Sequence, residues 1–170
     1  MLNSLYEKTK TWGPGSCMVA FYFFSLIPIV IFALVGSNTT EFDFRRVFIS
    51  DISLFTHSLL ISPWVETLLI QVLLTKVFSL MKCRPVNIIF AVSLIFAMFH
   101  LSNGLFYPLI VYIPGLMFTW NYFLYYEKNE AGWGFLSTSV LHFLYNFTIF
   151  VMIPLINVVL TTYYGIDALK

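Results

Sequence analysis

Residues 58–81 read SLLISPWVETLLIQVLLTKVFSLM, 24 positions that carry one carboxylate, Glu66, and one cation, Lys76. A helix crosses a bilayer with about 20 largely apolar residues, because hydrocarbon offers no partner to an unpaired peptide group. This run has that length. Its carboxylate, eight residues in, stands where insertion costs about 2.5–3.5 kcal/mol. A residue that costly marks function or a specific partner. The rest of the 170-residue chain is of the same kind: 59% apolar, 19% aromatic and 10% charged. Soluble domains carry about 25% charged residues. So few charges cannot cover a water-soluble surface, which excludes a soluble enzyme and a disordered chain alike. A net charge of +1 provides no field for nucleic acid. Cys17 and Cys83 sit at the ends of apolar runs, so neither a disulfide framework nor a thiolate metal site is indicated.

Working outward, the chain reads as one all-α membrane domain over 1–170, a bundle of five to six transmembrane helices. The first run is Cys17 to Val35. Its basic flank, Lys8 and Lys10, is that of a signal peptide, but the run is long and its end is a poor cleavage site. Residues 36–57 mix Glu41, Asp43, Arg45, Arg46 and Asp51 with Phe and Ile, as in a helix lying in the interface. Lys82-Cys83-Arg84-Pro85 closes the second span. The third runs from Val86 to about Leu101 and the fourth from Leu105 to Tyr126, with Pro114-Gly115 as an expected kink. The fifth begins near Trp133. Pro154 is expected to interrupt it, leaving a short sixth segment to about Tyr164. With the N-terminus inside, Lys8, Lys10, Lys76, Lys82, Arg84 and Lys128 collect on the inner side. That orientation places the N-terminus in the cytoplasm of a multi-pass protein. Asn38-Thr39-Thr40 matches a glycosylation sequon.

Few polar residues fall inside the spans. Glu66 is the acidic one, His100 and His142 are the two imidazoles, and Asn146 follows His142 at the i, i+4 spacing that shares a helix face. Glu66 lies roughly 12 Å below the outer surface at 1.5 Å per residue, His100 near the outer end of its span, and His142 near the midplane. With ordinary tilts the three meet between helices two, three and five. Each has a bland reading as a hydrogen-bonded packing residue, and Asn146 as interhelical glue. Together they form the polar set that activates water and stabilises an oxyanion. The same Glu and two His also make a competent zinc set with an open position for water.

At these residues the chain resembles the CAAX protease and bacteriocin-processing family of glutamate-type intramembrane proteases, which includes the type II CAAX prenyl endopeptidases. The family's pattern is Glu-Glu-x-x-x-Arg, usually after a Pro, then Phe-x-x-x-His, then His-x-x-x-Asn or Asp. Here Pro63 precedes Glu66, Phe96 to His100 fits the second motif, and His142 to Asn146 fits the third. The family-like core spans about 58–150. In the first motif Thr67 and Gln71 replace the second Glu and the Arg. Losing both members of an ion pair leaves no unpaired charge, and Thr67 and Gln71 are expected to keep a neutral hydrogen bond instead.

The resemblance implies an endopeptidase that hydrolyses a peptide bond in a membrane-associated protein or peptide. One branch of the family is associated with substrates carrying C-terminal sorting tails, and a prokaryotic cell membrane is the expected setting. Glu66 would be the general base, with His100 holding the water and His142 and Asn146 serving the oxyanion, with no cofactor. A zinc enzyme using Glu66, His100 and His142 is the alternative within the class. Outside it stand a non-catalytic immunity or adaptor protein on the same fold, and a proton-coupled carrier.

Overall fold

The computed structural model describes residues 2–35 and 56–164, and the described residues are helical with no strand among them. The expected interfacial helix over 36–57, with Arg45, Arg46 and the sequon, lies almost wholly outside them. The elements in chain order are α1 (Leu2–Thr9), α2 (Pro14–Val35), α3 (His57–Leu80), α4 (Pro85–Phe99), α5 (Tyr107–Tyr126) and α6, which starts at Ala131. Two are long and apolar enough to cross a membrane: His57–Leu80, mean hydropathy 1.5, and the stretch Ala131–Ile156, mean hydropathy 1.8. Gly15–Ile31 and Pro85–Phe99 are apolar but shorter.

α5 is the central helix among the described residues, packed against α2, α4 and α6. Its Tyr, Trp, Asn, Pro and Gly residues keep it less hydropathic than its neighbours, and it can be so because it is wrapped. Phe118, Asn121 and Tyr122 are all but fully buried. The outer helices show the reverse distribution. Leu60, Leu68, Leu73 and Val77 of α3, Phe23 of α2 and Leu155 of α6 are exposed, whereas Thr67, Gln71, Ser93, Thr119 and Thr138 have no exposed surface. Large apolar side chains are thus exposed on the outer helices, while a set of polar ones is buried among the apolar core.

Four helices carry prolines without ending at them, Pro28 in α2, Pro63 in α3, Pro114 in α5 and Pro154 in α6. In α3 the Ser62 N–H bonds the His57 carbonyl five residues back, one position before Pro63. In α6 the segment Ala131–Phe147 passes through a wide turn, Thr148–Met152, where the Ile153 N–H again reaches five back, to Thr148, just before Pro154. A proline lacks its own N–H and its ring crowds the carbonyl four residues earlier. A wide turn makes the room. Pro154 therefore does not interrupt the helix, contrary to the sequence expectation: Ile153–Tyr164 continues it. Pro114 likewise lies inside an unbroken α5.

At one end of the bundle α3 and α5 stop in left-handed turns, Lys82 (φ 56°) and Asn129 (φ 60°), closed by Cys83 N–H to the Phe78 carbonyl and Glu130 N–H to the Tyr125 carbonyl. The short α1, not foreseen in the sequence, docks at this same end. Lys10 pairs with Glu127 at 2.7 Å, and the Trp120 indole donates to the Thr9 hydroxyl at 3.2 Å. At the other end α4 gives way to the turn Leu101–Asn103 and to Gly104, whose φ of 132° suits a residue without a Cβ.

Candidate active site

Glu66 closes a regular turn of α3, Ser62–Glu66, set between two wide ones, His57–Ile61 and Thr67–Val72. Its carboxylate is held from both sides. Oε1 accepts a hydrogen bond from the Ser62 hydroxyl one turn earlier. Oε2 stands 3.7 Å from His100 Nε2 and 3.8 Å from His142 Nε2. Both distances exceed a hydrogen bond and fall within ion-pair reach. Helices α3, α4 and α6 thus bring the three residues to one oxygen, a convergence that their depths in the sequence permit.

Phe96 accounts for the Phe-x-x-x-His spacing. Its carbonyl accepts from His100 Nδ1 at 2.9 Å, which leaves Nε2 of that ring toward Glu66. Its own ring lies between the two imidazoles, 4.7 Å from His100 and 5.7 Å from His142, centre to centre. His142 is stacked on Phe118 of α5 at 4.6 Å and 28°. His100 is flanked by Tyr107, nearly parallel at 6.0 Å. Side-chain exposure falls from 30% at Glu66 and 20% at His100 to 4% at His142. The site is thus open on the side of Glu66 and His100 and closed behind His142.

Asn146 stands apart from the expected set. Its Nδ2 donates to the Ser58 carbonyl at 2.9 Å, tying α6 to the start of α3. A backbone carbonyl near a helix start is not visible in sequence, so this partner had no signal there. Ser62 could have been found, at i−4 from Glu66. Phe118 and Tyr107 could not. Nor do Thr67 and Gln71 keep the hydrogen bond expected between them: both are fully buried, and neither has a hydrogen-bond partner among the described residues. They begin and nearly end a wide turn, where four residues fall short of one full rotation.

Among the described residues no group of three His, Cys, Asp or Glu is placed to hold a metal ion. The two imidazoles face the carboxylate oxygen itself, which is the arrangement of a base flanked by two polarising groups. Such a centre can take a proton from water at Glu66 and offer Nε2–H of His142 to developing negative charge. Comparison of the chain with protein-family models, with curated proteins and with solved structures finds no match.

Proposed function

We propose that the chain is a multi-pass membrane protein and that Glu66, His100 and His142 form the water-activating centre of an intramembrane endopeptidase. Support for the membrane comes from the many large apolar side chains exposed on the outer helices, a surface that would be unfavourable in water. Lys8, Lys10, Lys82, Arg84 and Lys128 all lie at or beside the end where α1 docks, which supports a cytoplasmic N-terminus.

The single observation that carries the chemistry is the convergence of His100 and His142 on Glu66 Oε2. Water lying against that oxygen loses a proton to Glu66 as its own oxygen attacks the substrate carbonyl carbon. His100 orients the water. His142, protonated at Nε2, donates to the carbonyl oxygen as it becomes an oxyanion, a contact worth about 10²–10³ in rate at comparable sites. Glu66 then returns the proton to the departing amine and the peptide bond breaks. Ser62 restricts the rotation of the Glu66 carboxylate. Asn146 enters as a positioning residue that holds α6, and so His142, against α3.

The test compares cells carrying the wild-type chain with cells carrying Glu66→Gln, which keeps shape and removes the base. At least about a hundredfold slower appearance of the shortened form of one membrane-associated protein, read by mass, is expected. Identical mass profiles with equal amounts of inserted protein would overturn the hydrolase reading and favour a binding or immunity role on the same fold.

A further inference from the structure

Beneath Glu66 the inner face of α3 carries polar side chains that this chemistry does not use. Thr67, Gln71 and Thr75 follow one another at four-residue spacing with no exposed surface, and Ser79 extends the row to the last turn. Such a spacing drifts by about 40° per step on a regular helix; the wide turn Thr67–Val72 takes up the drift where the row begins. Ser139 of α6, one turn before His142, and Thr119 of α5, next to the ring stacked on His142, are likewise fully buried. Along their helices Gln71 lies about 7.5 Å from Glu66 and Ser139 about 4.5 Å from His142, on the same side. The turn Thr67–Val72 packs against α4, α5 and α6, and the following Leu73–Leu80 packs against α4.

None of these groups has a hydrogen-bond partner among the described residues: neither the five hydroxyls nor the oxygen and nitrogen of Gln71. Three other serine and threonine hydroxyls behave differently. Ser25, Ser93 and Thr148 each donate to a carbonyl three or four residues back. Buried polar groups are bonded with few exceptions, and Gln71 offers two donors and an acceptor at one point. An apolar occupant would satisfy none of them. A cation would suit the oxygens and be repelled by the amide hydrogens. Water both donates and accepts, and in buried sites it takes about three partners.

We propose that the inner face of α3 lines a water site, a file of water molecules held by Gln71 and the five hydroxyls, between α3, α5 and α6 beneath Glu66 and between α3 and α4 toward the end of α3. It leads from beneath Glu66 toward the turn at Lys82. Glu66 Oε2 and His142 Nδ1, both buried and without a hydrogen bond to the described residues, form its upper end. Use of the file as the source of the attacking water rests on the hydrolase reading; the hydration does not.

Gln71 is the one glutamine in the chain, so its labelled side-chain amide is a unique probe. With the full chain in lipid bilayers and ¹⁵N on Gln and Asn, polarisation starting on water should reach the Gln71 amide nearly as fast as it reaches exposed Asn129 in solid-state NMR. Thr75→Val combined with Ser139→Ala should slow that transfer several-fold, and Thr75→Ser should not. The wild-type protein alone separates wet from dry. No transfer, with Gln71 amide protons retained for hours in D₂O, overturns the proposal. So does a Gln71 resonance that moves when sodium replaces potassium, which would make the seam a cation site. A dry seam in a protein that still cleaves leaves the hydrolase reading standing, and a wet seam in a protein that cleaves nothing removes that reading alone.

Discussion

Phe96 packs so closely on Gly115 that a Cβ added to the glycine would lie 2.6 Å from the ring's Cδ1. The ring cannot simply swing away, because it is set between His100, His142 and Phe118. Close approach of α4 to α5 at the glycine therefore fixes the ring that spaces the two imidazoles. Overpacking of this sort costs about 1–3 kcal/mol. Gly115→Ala should lower the melting temperature and reduce turnover together. Adding Phe96→Leu should return the stability, since a smaller side chain clears the new methyl, while turnover stays low because Leu cannot sit against both rings. Recovery of turnover in that double variant would show that the ring has no part in placing His100 and His142.

A second prediction concerns the docking of α1. Burial raises the pKa of the Tyr6 phenol, and Glu127 and Glu7 raise it further. At Lys10 burial acts to lower the pKa, but hydrogen bonds and charge from Glu127 and Glu7 outweigh it and the net shift is upward. Both groups therefore hold their protons more tightly when α1 is docked than when it is free. Their contribution is complete below the ordinary values, about 10 for Tyr and 10.4 for Lys, and is lost as pH rises through the folded values. α1 should detach in strong alkali and stay docked across the neutral range. The Trp120 indole N–H, bonded to Thr9 at 3.2 Å, reports this by NMR. Lys10→Gln should weaken the docking at pH 7 and reduce its dependence on alkali. An indole signal that does not move up to pH 12 would place the stability of α1 in its apolar contacts alone.

Asn146 and His142 provide the third. If Asn146 acts by bonding the Ser58 carbonyl, its loss shifts α6 without removing a group from the reacting atoms. Asn146→Ala should cost about 1 kcal/mol of stability and a modest part of kcat. Its effect should multiply with that of His142→Ala rather than vanish beside it. Residues that serve one oxyanion behave otherwise, and the double change then costs little more than the worse single one. That second pattern would move Asn146 back into the site.

How much of this was readable in the chain depends on which physical rule governed each part. Glu66, His100 and His142 stand out because a polar group in an apolar run is expensive, and depth along a helix follows from residue count alone. Those depths permit a meeting, and the structure shows it at one carboxylate oxygen. The helix ends at Lys82 and Asn129 were also legible, as polar turns between long runs. What was not legible depended on departures from 3.6 residues per turn. Pro154 reads as a break until a wide turn is placed before it, and Thr67 and Gln71 read as partners until a wide turn separates them. Backbone acceptors such as the Ser58 carbonyl leave no trace in side-chain identity. α1 escaped because eight residues with two charges do not resemble a span, and tertiary packing on Trp120 and Glu127 holds it.

The last prediction returns to Thr67 and Gln71, where the resembling family carries Glu and Arg. Both side chains are fully buried on the inner face of α3. Thr67→Glu alone sets a second carboxyl beside Glu66 with no cation near it, and Gln71→Arg alone buries a cation whose nearest anion in sequence is Glu66. Each should impair cleavage, the first by repulsion between carboxylates and the second by drawing Glu66 into an ion pair that weakens it as a base. The double variant can pair the new charges with each other and should recover much of both losses, a coupling of about 1 kcal/mol or more in a double-mutant cycle. The size of the single losses carries separate information. In a dry seam an unpaired charge costs about 3–5 kcal/mol, whereas water beside Gln71 would solvate it and keep the loss well below that. Zero coupling would mean that the two positions do not face one another across the wide turn and do not stand in for an ion pair.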